Sequence, residues 1–149
     1  MSYPNTESDW NDYQEFVHKN SLMSFDKLSP KEMLAVLTLG LSGEVSETVK
    51  EVNDFPINDT EIQITILKLC VSLGITTGDL TEKIKKHLRD NTQVNNRNLT
   101  LELGDVMAYI ALIGAVFNID LAEIMKQNEY KLANRFGTVW KATQNKETE

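Results

Sequence analysis

The sequence predicts an all-α fold, a helical bundle, and three observations lead to it. Apolar residues recur at intervals of three and four along most of the chain, which is helical spacing. Several segments open with residues that cap helices. Alternation at Ile62, Ile64 and Ile66 also permits a strand, but the sequence offers no second strand candidate to pair with it. Since 149 residues are enough to bury a core, we expect one domain over residues 1–149.

The first two helices are predicted from their starts. Ser8 or Asp9 is expected to cap the first helix, whose apolar positions recur at helical spacing. Those positions are Trp10, Tyr13, Phe16 and Val17. Ser29 and Glu32 form a capping box with Pro30 at the first helical position, so the second helix is expected from there to about residue 52.

The middle of the chain is predicted to hold two more helices. After a break over residues 53–59, Asp59 or Thr60 begins an apolar helix that we expect to be buried. Gly74 is expected to end this helix, and a threonine at 76 or 77 to begin an amphipathic one that continues to residue 90.

The last two helices follow a polar loop predicted over residues 91–98. The first of them is expected to run from Leu99 to Phe117. Asp120 caps the other, and Gly137 closes it before a tail over residues 137–149 that we expect to be flexible.

Charge and composition limit the partners and the compartment. With a net charge of −7 and an isoelectric point near 4.9, neither a nucleic acid polymer nor an anionic membrane is an expected partner. The uncharged run over residues 106–118 is too short for a membrane span, which needs about 20 apolar residues. The single cysteine, Cys70, suits a buried thiol, and the amino terminus lacks a signal-peptide pattern, so a cytoplasmic location is expected.

Two pairs of acidic residues form the site hypothesis. Glu102 and Asp105 are three residues apart in an apolar helix, and Glu44 and Glu47 repeat that spacing in the second helix. Residues three apart lie on one helix face. One such pair is commonplace on a solvated face, but four carboxylates brought together across a bundle would form an oxygen cage of the kind that binds Mg²⁺ or Mn²⁺.

Four further residues, in two places, accompany these acids. Tyr109 lies one turn beyond Asp105 on the same side of its helix. In the last helix Asn128, Lys131 and Arg135 share one face and supply an amide and two cations suited to phosphate oxygens. The alternative is that the two cations form surface ion pairs with acidic residues of the same helix.

Three segments, in this order, resemble a known family. LGLSGEVSETVK, ELGDVMAYIAL and NEYKLANRFGT resemble the GExxE, ExxD and N-x-x-K-L-x-x-R patterns of the MazG-like nucleotide pyrophosphohydrolases, of the all-α NTP pyrophosphatase superfamily. The opening WNDYQEFV looks like the first helix of that family. The resemblance covers most of the chain outside residues 53–81.

The resemblance implies a fold of the MazG type, an activity and roles for residues. The family cleaves (d)NTPs between the α- and β-phosphates, giving a nucleoside monophosphate and pyrophosphate, with Mg²⁺ as cofactor and Mn²⁺ as a substitute. The implied metal ligands are Glu44, Glu47, Glu102 and Asp105, and either glutamate of the first pair is an implied catalytic residue. The implied contacts to nucleotide and phosphates are Tyr109, Asn128, Lys131 and Arg135. A homodimer or homotetramer is expected, with a purine deoxynucleotide such as dGTP as one candidate substrate.

The chain departs from the family in the distance between its two acidic motifs, which are usually closer together in the sequence. KIKKHLRDN looks like the displaced end of the GExxE helix, so residues 53–81 are interpreted as an inserted helical segment. Asp79 and Glu82 are then a rival metal-ligand pair, without the LGLSGE lead-in. Two other functions remain open: a non-catalytic helical interaction protein derived from this fold, and a dUTPase-like member of the superfamily.

Overall fold

Five α-helices make up the part of the chain that the structure describes. The computed structural model describes residues 7–25, 27–54 and 56–137, with the side chains of the first range described from 10 to 20. The helices are α1 (Glu7–Phe25), α2 (Pro30–Asp54), α3 (Thr60–Asp90), α4 (Asn96–Val116) and α5 (Leu121–Phe136). These ranges contain no strand, which confirms the all-α prediction. The tail predicted to be flexible lies outside the described residues from 138 onward.

The helix that was predicted to end at Gly74 continues through it, so that prediction is wrong. α3 is one helix of 31 residues. A glycine ends a helix by adopting a left-handed conformation, and among the described glycines only Gly137 has a positive φ, of 65°. An interior glycine costs about 1 kcal/mol relative to alanine, and the burial of Leu73 and Leu80 on either side of Gly74 and Gly78 offsets that cost. Residues 60–81 therefore belong to the same helix as residues 82–90. The interpretation of residues 53–81 as an inserted segment stays a prediction.

Side-chain caps fix most of the other helix ends. The Ser29 backbone N–H donates to Glu32 Oε2 over 2.8 Å, and Glu32 N–H donates to the Ser29 hydroxyl over 3.3 Å, which confirms the capping box. Asp59 and Asp120 cap α3 and α5 as predicted. Three starts were predicted wrongly: α3 runs through the threonines at 76 and 77, α1 already includes Glu7, and α4 begins at Asn96. The Asn95 side chain caps α4 by accepting hydrogen bonds from the backbone N–H groups of Arg97 and Asn98.

The chain divides into two compact units, and α2, α3 and α4 lie in one of them. In this unit α3 packs against both α2 and α4. The core joins buried residues of α3 and α4 and is extended by partly buried valines of α2. The buried members are Ile66, Cys70, Leu73, Val106 and Ile113. The prediction that the apolar first half of α3 is buried holds for one face only, because Leu67 and Val71 are 61% and 53% exposed.

The other unit contains α1 and α5, which pack against each other. The Tyr13 hydroxyl donates a hydrogen bond of 3.1 Å to Asn128 Oδ1 across this contact. Burial, and secondarily the charge of Glu129, raises the pKa of Tyr13. Burial also raises the pKa of Glu129 above its ordinary value. This helix pair therefore holds two titratable groups in a partly desolvated contact.

Two of the described helices, α3 and α4, are long and apolar enough to cross a membrane by length and composition alone. The most apolar 18-residue segment has a mean hydropathy of 1.3 in α3 and 1.7 in α4, and 28% and 17% of these segments, respectively, is buried. Core helices of soluble proteins meet the same criterion. The expectation of no membrane partner stays a prediction.

Candidate functional site

The acidic pair of α4 stands beside the core. Val106 is 5% exposed and packs in the core, and Asp105, its neighbour in sequence, is exposed. The Glu102 side chain is 23% exposed, and its Oε1 forms an ion pair with Nζ of Lys83 from α3. One carboxylate of this pair is thus already matched to a cation from a neighbouring helix, and the other is open to solvent.

The acidic pair of α2 is exposed. Glu44 and Glu47 are both on the solvent-accessible part of the helix, whereas Val45 and Val49 are partly buried against the core. A spacing of three residues separates the two carboxylate-bearing positions by about 4.5 Å along the helix axis. Both side chains are therefore free to turn toward one ligand.

The four acids do not form a single cage. Within the described ranges, no three acidic, histidine or cysteine side chains come close enough to hold a metal ion between them. Mg²⁺ commonly takes only one or two protein carboxylates, with water and substrate phosphate oxygens completing its octahedral shell. Each acidic pair supplies such a set of hard oxygen donors, so the residues fit Mg²⁺ as two-carboxylate sites. Metal binding itself stays a prediction.

The rival acidic pair on α3 is partly neutralised. Glu82 forms ion pairs with Lys85 and Lys86, the second over 3.7 Å. A hydrogen bond from Lys85 is the main cause that lowers the pKa of Glu82. Asp79 is exposed. Two lysines one turn away make this pair less available to a divalent cation than the pair on α2.

The remaining predicted site residues are divided between the two units. Tyr109 is partly buried and packs against the core around α3 and α4. Asn128 accepts the hydrogen bond from Tyr13 and so has a structural partner. Lys131 and Arg135 are exposed, and the Arg135 guanidinium lies 5.6 Å from the centre of the Phe136 ring. Among the described residues neither cation forms an ion pair, so the alternative, surface pairing with acidic residues of the same helix, is not observed there.

A cavity of about 630 Å³ in the unit of α2, α3 and α4 was not predicted from the sequence. Its apolar walls come from α2, α3 and α4. They are Leu34, Leu37, Leu41, Leu80, Ile84, Leu99 and Leu103, together with Val94 from the segment before α4. His87, Gln93 and Asn96 also line it, and we call these three residues its polar edge. No local signal marks the cavity, because its walls meet only after three helices have packed.

Lys83 was also missed as a site residue. It lies 19 positions before Glu102, on a different helix. The basic composition around it was visible in the sequence, but its partner depends on how α3 and α4 are rotated against each other. Only the packed helices reveal that pair.

A comparison with curated proteins finds similarity to a phage protein. The chain is 37% identical over 71 residues to the Gene 37 protein of Mycobacterium phage L5. The match covers 44% of this chain and 62% of the phage protein, less than two thirds of its length. The phage protein's name states no activity. No family model matches the chain, and no solved structure gives a significant match.

Proposed function

We propose that the chain is a Mg²⁺-dependent nucleoside triphosphate pyrophosphohydrolase. The observation that carries the proposal is the placement of two acidic pairs, each spaced i, i+3, on α2 and α4, which both pack against α3. Three of the four carboxylates, those of Glu44, Glu47 and Asp105, are solvent-accessible. The resemblance of the three sequence segments to MazG-like enzymes supports this choice of reaction.

In the proposed reaction a carboxylate of α2 acts as the general base. Water attacks the α-phosphorus, the bond from that phosphorus to the bridging oxygen breaks, and pyrophosphate leaves. Glu44 or Glu47 orients the water and takes its proton, as a carboxylate can when it lies within hydrogen-bond reach. Bound Mg²⁺ would supply charge neutralisation of the triphosphate and polarisation of the phosphorus.

Phosphate binding is the proposed role of the exposed cations on α5. Arg135 offers a planar fork of donors that matches two phosphate oxygens, and Lys131 offers a compact charge. Neither is committed to an ion pair within the described residues. Both are therefore available to an anionic ligand.

Self-association is part of the proposal. Ile64, Leu67, Val71 and Ile75 recur at intervals of three and four along α3, and each is between 48% and 61% exposed. Contiguous exposed apolar stripes of this kind mark interaction surfaces in soluble proteins. A homodimer or homotetramer would cover the stripe.

A pyrophosphate-release assay over the eight common (d)NTPs with Mg²⁺ tests the proposal. We expect release from at least one nucleotide by the wild type and a loss of at least ~100-fold in Glu102→Gln, which keeps the shape of the side chain but not its charge. No release above that of the variant, for any nucleotide, would contradict the proposal.

A second candidate is a non-catalytic helical interaction protein. The ion pair of Lys83 with Glu102 favours it, because a carboxylate already matched by an internal cation needs no metal. The same assay distinguishes the two candidates, since an interaction protein releases no pyrophosphate.

A further inference from the structure

The cavity lined by α2, α3 and α4 has the size and lining of a ligand site. Its volume of about 630 Å³ lies within the ~300–1,000 Å³ that is typical of small-molecule pockets. Eight aliphatic side chains form its walls, and the polar groups that line it include the three residues of the polar edge. A mostly apolar pocket with a few polar groups at one side suits a ring system that carries hydrogen-bonding atoms on one edge.

The polar edge has unused hydrogen-bonding capacity. His87 Nδ1 donates to the Thr92 carbonyl oxygen, which can only accept, so Nδ1 carries a proton and, in this tautomer, Nε2 is an acceptor. Within the part of the chain that the structure describes, the side-chain amides of Gln93 and Asn96 have no hydrogen-bond partner. An aliphatic ligand would remove these groups from water without replacing their hydrogen bonds, which is unfavourable.

We propose that this cavity binds a purine base, the base of the nucleotide substrate, between its aliphatic walls and its polar edge. An amide presents a donor beside an acceptor, the pattern that pairs with N6 and N7 of adenine. The His87 acceptor offers a second site for an exocyclic amino group. This inference rests on the proposed function for the identity of the ligand, but not for the cavity or its chemistry.

The cavity lies close to the acidic pair of α4 along the chain. Leu99 and Leu103 line the cavity and flank Glu102, and Ile84 lines it beside Lys83. A base held in the cavity would therefore lie near the ion pair between α3 and α4.

Proton NMR of the histidine rings tests the proposal on the whole chain. The chain has two histidines, His18 and His87, so a His18→Gln variant assigns their imidazole C–H signals. We expect adenosine to shift the His87 signal saturably and the His18 signal to stay in place. Cytidine, whose single ring buries less apolar surface, and ribose 5-phosphate, which has no base, should bind at least ~tenfold more weakly. Nucleosides carry no phosphate, so the result does not depend on hydrolysis.

Two variants locate the binding. Leu37→Trp fills the cavity from a position that is 46% exposed, and a Gln93→Ala/Asn96→Ala double variant removes both amides. Each is expected to weaken adenosine binding by about tenfold or more. Thr65→Ala, at an exposed position of α3 outside the cavity lining, is the matched control and should bind like the wild type.

Three results would overturn the proposal. Adenosine at millimolar concentration could leave the His87 signal unchanged, or cytidine could shift it equally. The signal could also shift with protein concentration, which would assign the cavity to a second copy of the chain. If pyrophosphate is released but His87 does not respond, only this inference fails. If His87 responds but no pyrophosphate is released, only the proposed function fails.

Discussion

Lys83 of α3 and Glu102 of α4 form an ion pair between two helices of one unit. The pair places an ammonium group on a carboxylate that we propose as a Mg²⁺ ligand. Lysine and the metal ion would therefore compete for the same oxygen atoms. The structure thus describes the competitor that the metal has to displace.

Removing this competitor should strengthen metal binding. In Lys83→Met we expect the Mg²⁺ concentration for half-maximal turnover to fall by up to about fivefold, since an exposed ion pair is worth up to about 1 kcal/mol. Lys68→Met is the control, because Lys68 is exposed on the same helix. A rise in the required Mg²⁺ concentration would show that Lys83 assists the site instead.

The core around α3 should depend strongly on Leu73. This side chain is 2% exposed, so Leu73→Ala is expected to lower the free energy of unfolding by about 2–5 kcal/mol through lost burial and the cavity left behind. Leu39→Ala, at a position that is 71% exposed, should change it by less than about 0.5 kcal/mol. Chemical denaturation of both variants measures the difference. Similar losses in the two would contradict the packing described for α3.

The contact of α1 with α5 should lose stability as the pH rises. Burial raises the pKa of Glu129 above its ordinary value of 4.5, so the folded chain binds the proton more tightly than the unfolded chain. The stabilisation from proton binding to the Glu129 carboxyl group is complete below its ordinary pKa of 4.5. It is lost as the pH rises through the raised pKa of the folded chain. Glu129→Gln should therefore raise the thermal midpoint at pH 7 but not at pH 4.

Glu15→Gln is the matched control for this prediction, because Glu15 is exposed on α1. Scanning calorimetry at both pH values compares the two variants. A Glu129→Gln chain that gains as much at pH 4 as at pH 7 would disprove the assigned role of the Glu129 charge.

The apolar stripe of α3 should be the self-association surface. A Leu67→Glu/Val71→Glu double variant is expected to weaken assembly by at least about tenfold, since apolar interface anchors contribute upwards of about 1 kcal/mol each. Thr65→Glu is the control: it adds one glutamate at an exposed position on a different side of the same helix, and it should assemble normally. Sedimentation velocity measures the mass of each. A wild type that is monomeric at every concentration would contradict the proposed assembly.

The parts of the fold set by local chemistry could be predicted from the sequence. Contacts within a single helical turn determine the capping box of Ser29 and Glu32, the aspartate caps and the helix end at Gly137. The residues that make these contacts are neighbours in the sequence, so a short motif is enough to predict them. Gly74 was misjudged, since the same residue either ends a helix or sits within one, and burial of its neighbours decides between them.

The candidate site depends on how the helices are rotated against one another, and no short sequence motif reveals that rotation. The i, i+3 spacing correctly predicts that two acids share a helix, but not which neighbour they meet. Glu102 meets Lys83, and the described residues bring no three metal-binding side chains together. The cavity beside α3 has the same origin, because its walls are contributed by three helices.

Phosphorus NMR of a dNTP incubated with the protein and Mg²⁺ tests the central claim most directly. The wild type is expected to convert the three triphosphate signals into those of pyrophosphate and a nucleoside monophosphate. Asp105→Ala should abolish the conversion, whereas Asp79→Ala should retain it, since we propose the pairs on α2 and α4 as the metal ligands and not the rival pair on α3. Formation of orthophosphate and a nucleoside diphosphate, or an unchanged triphosphate with the wild type, would contradict the account.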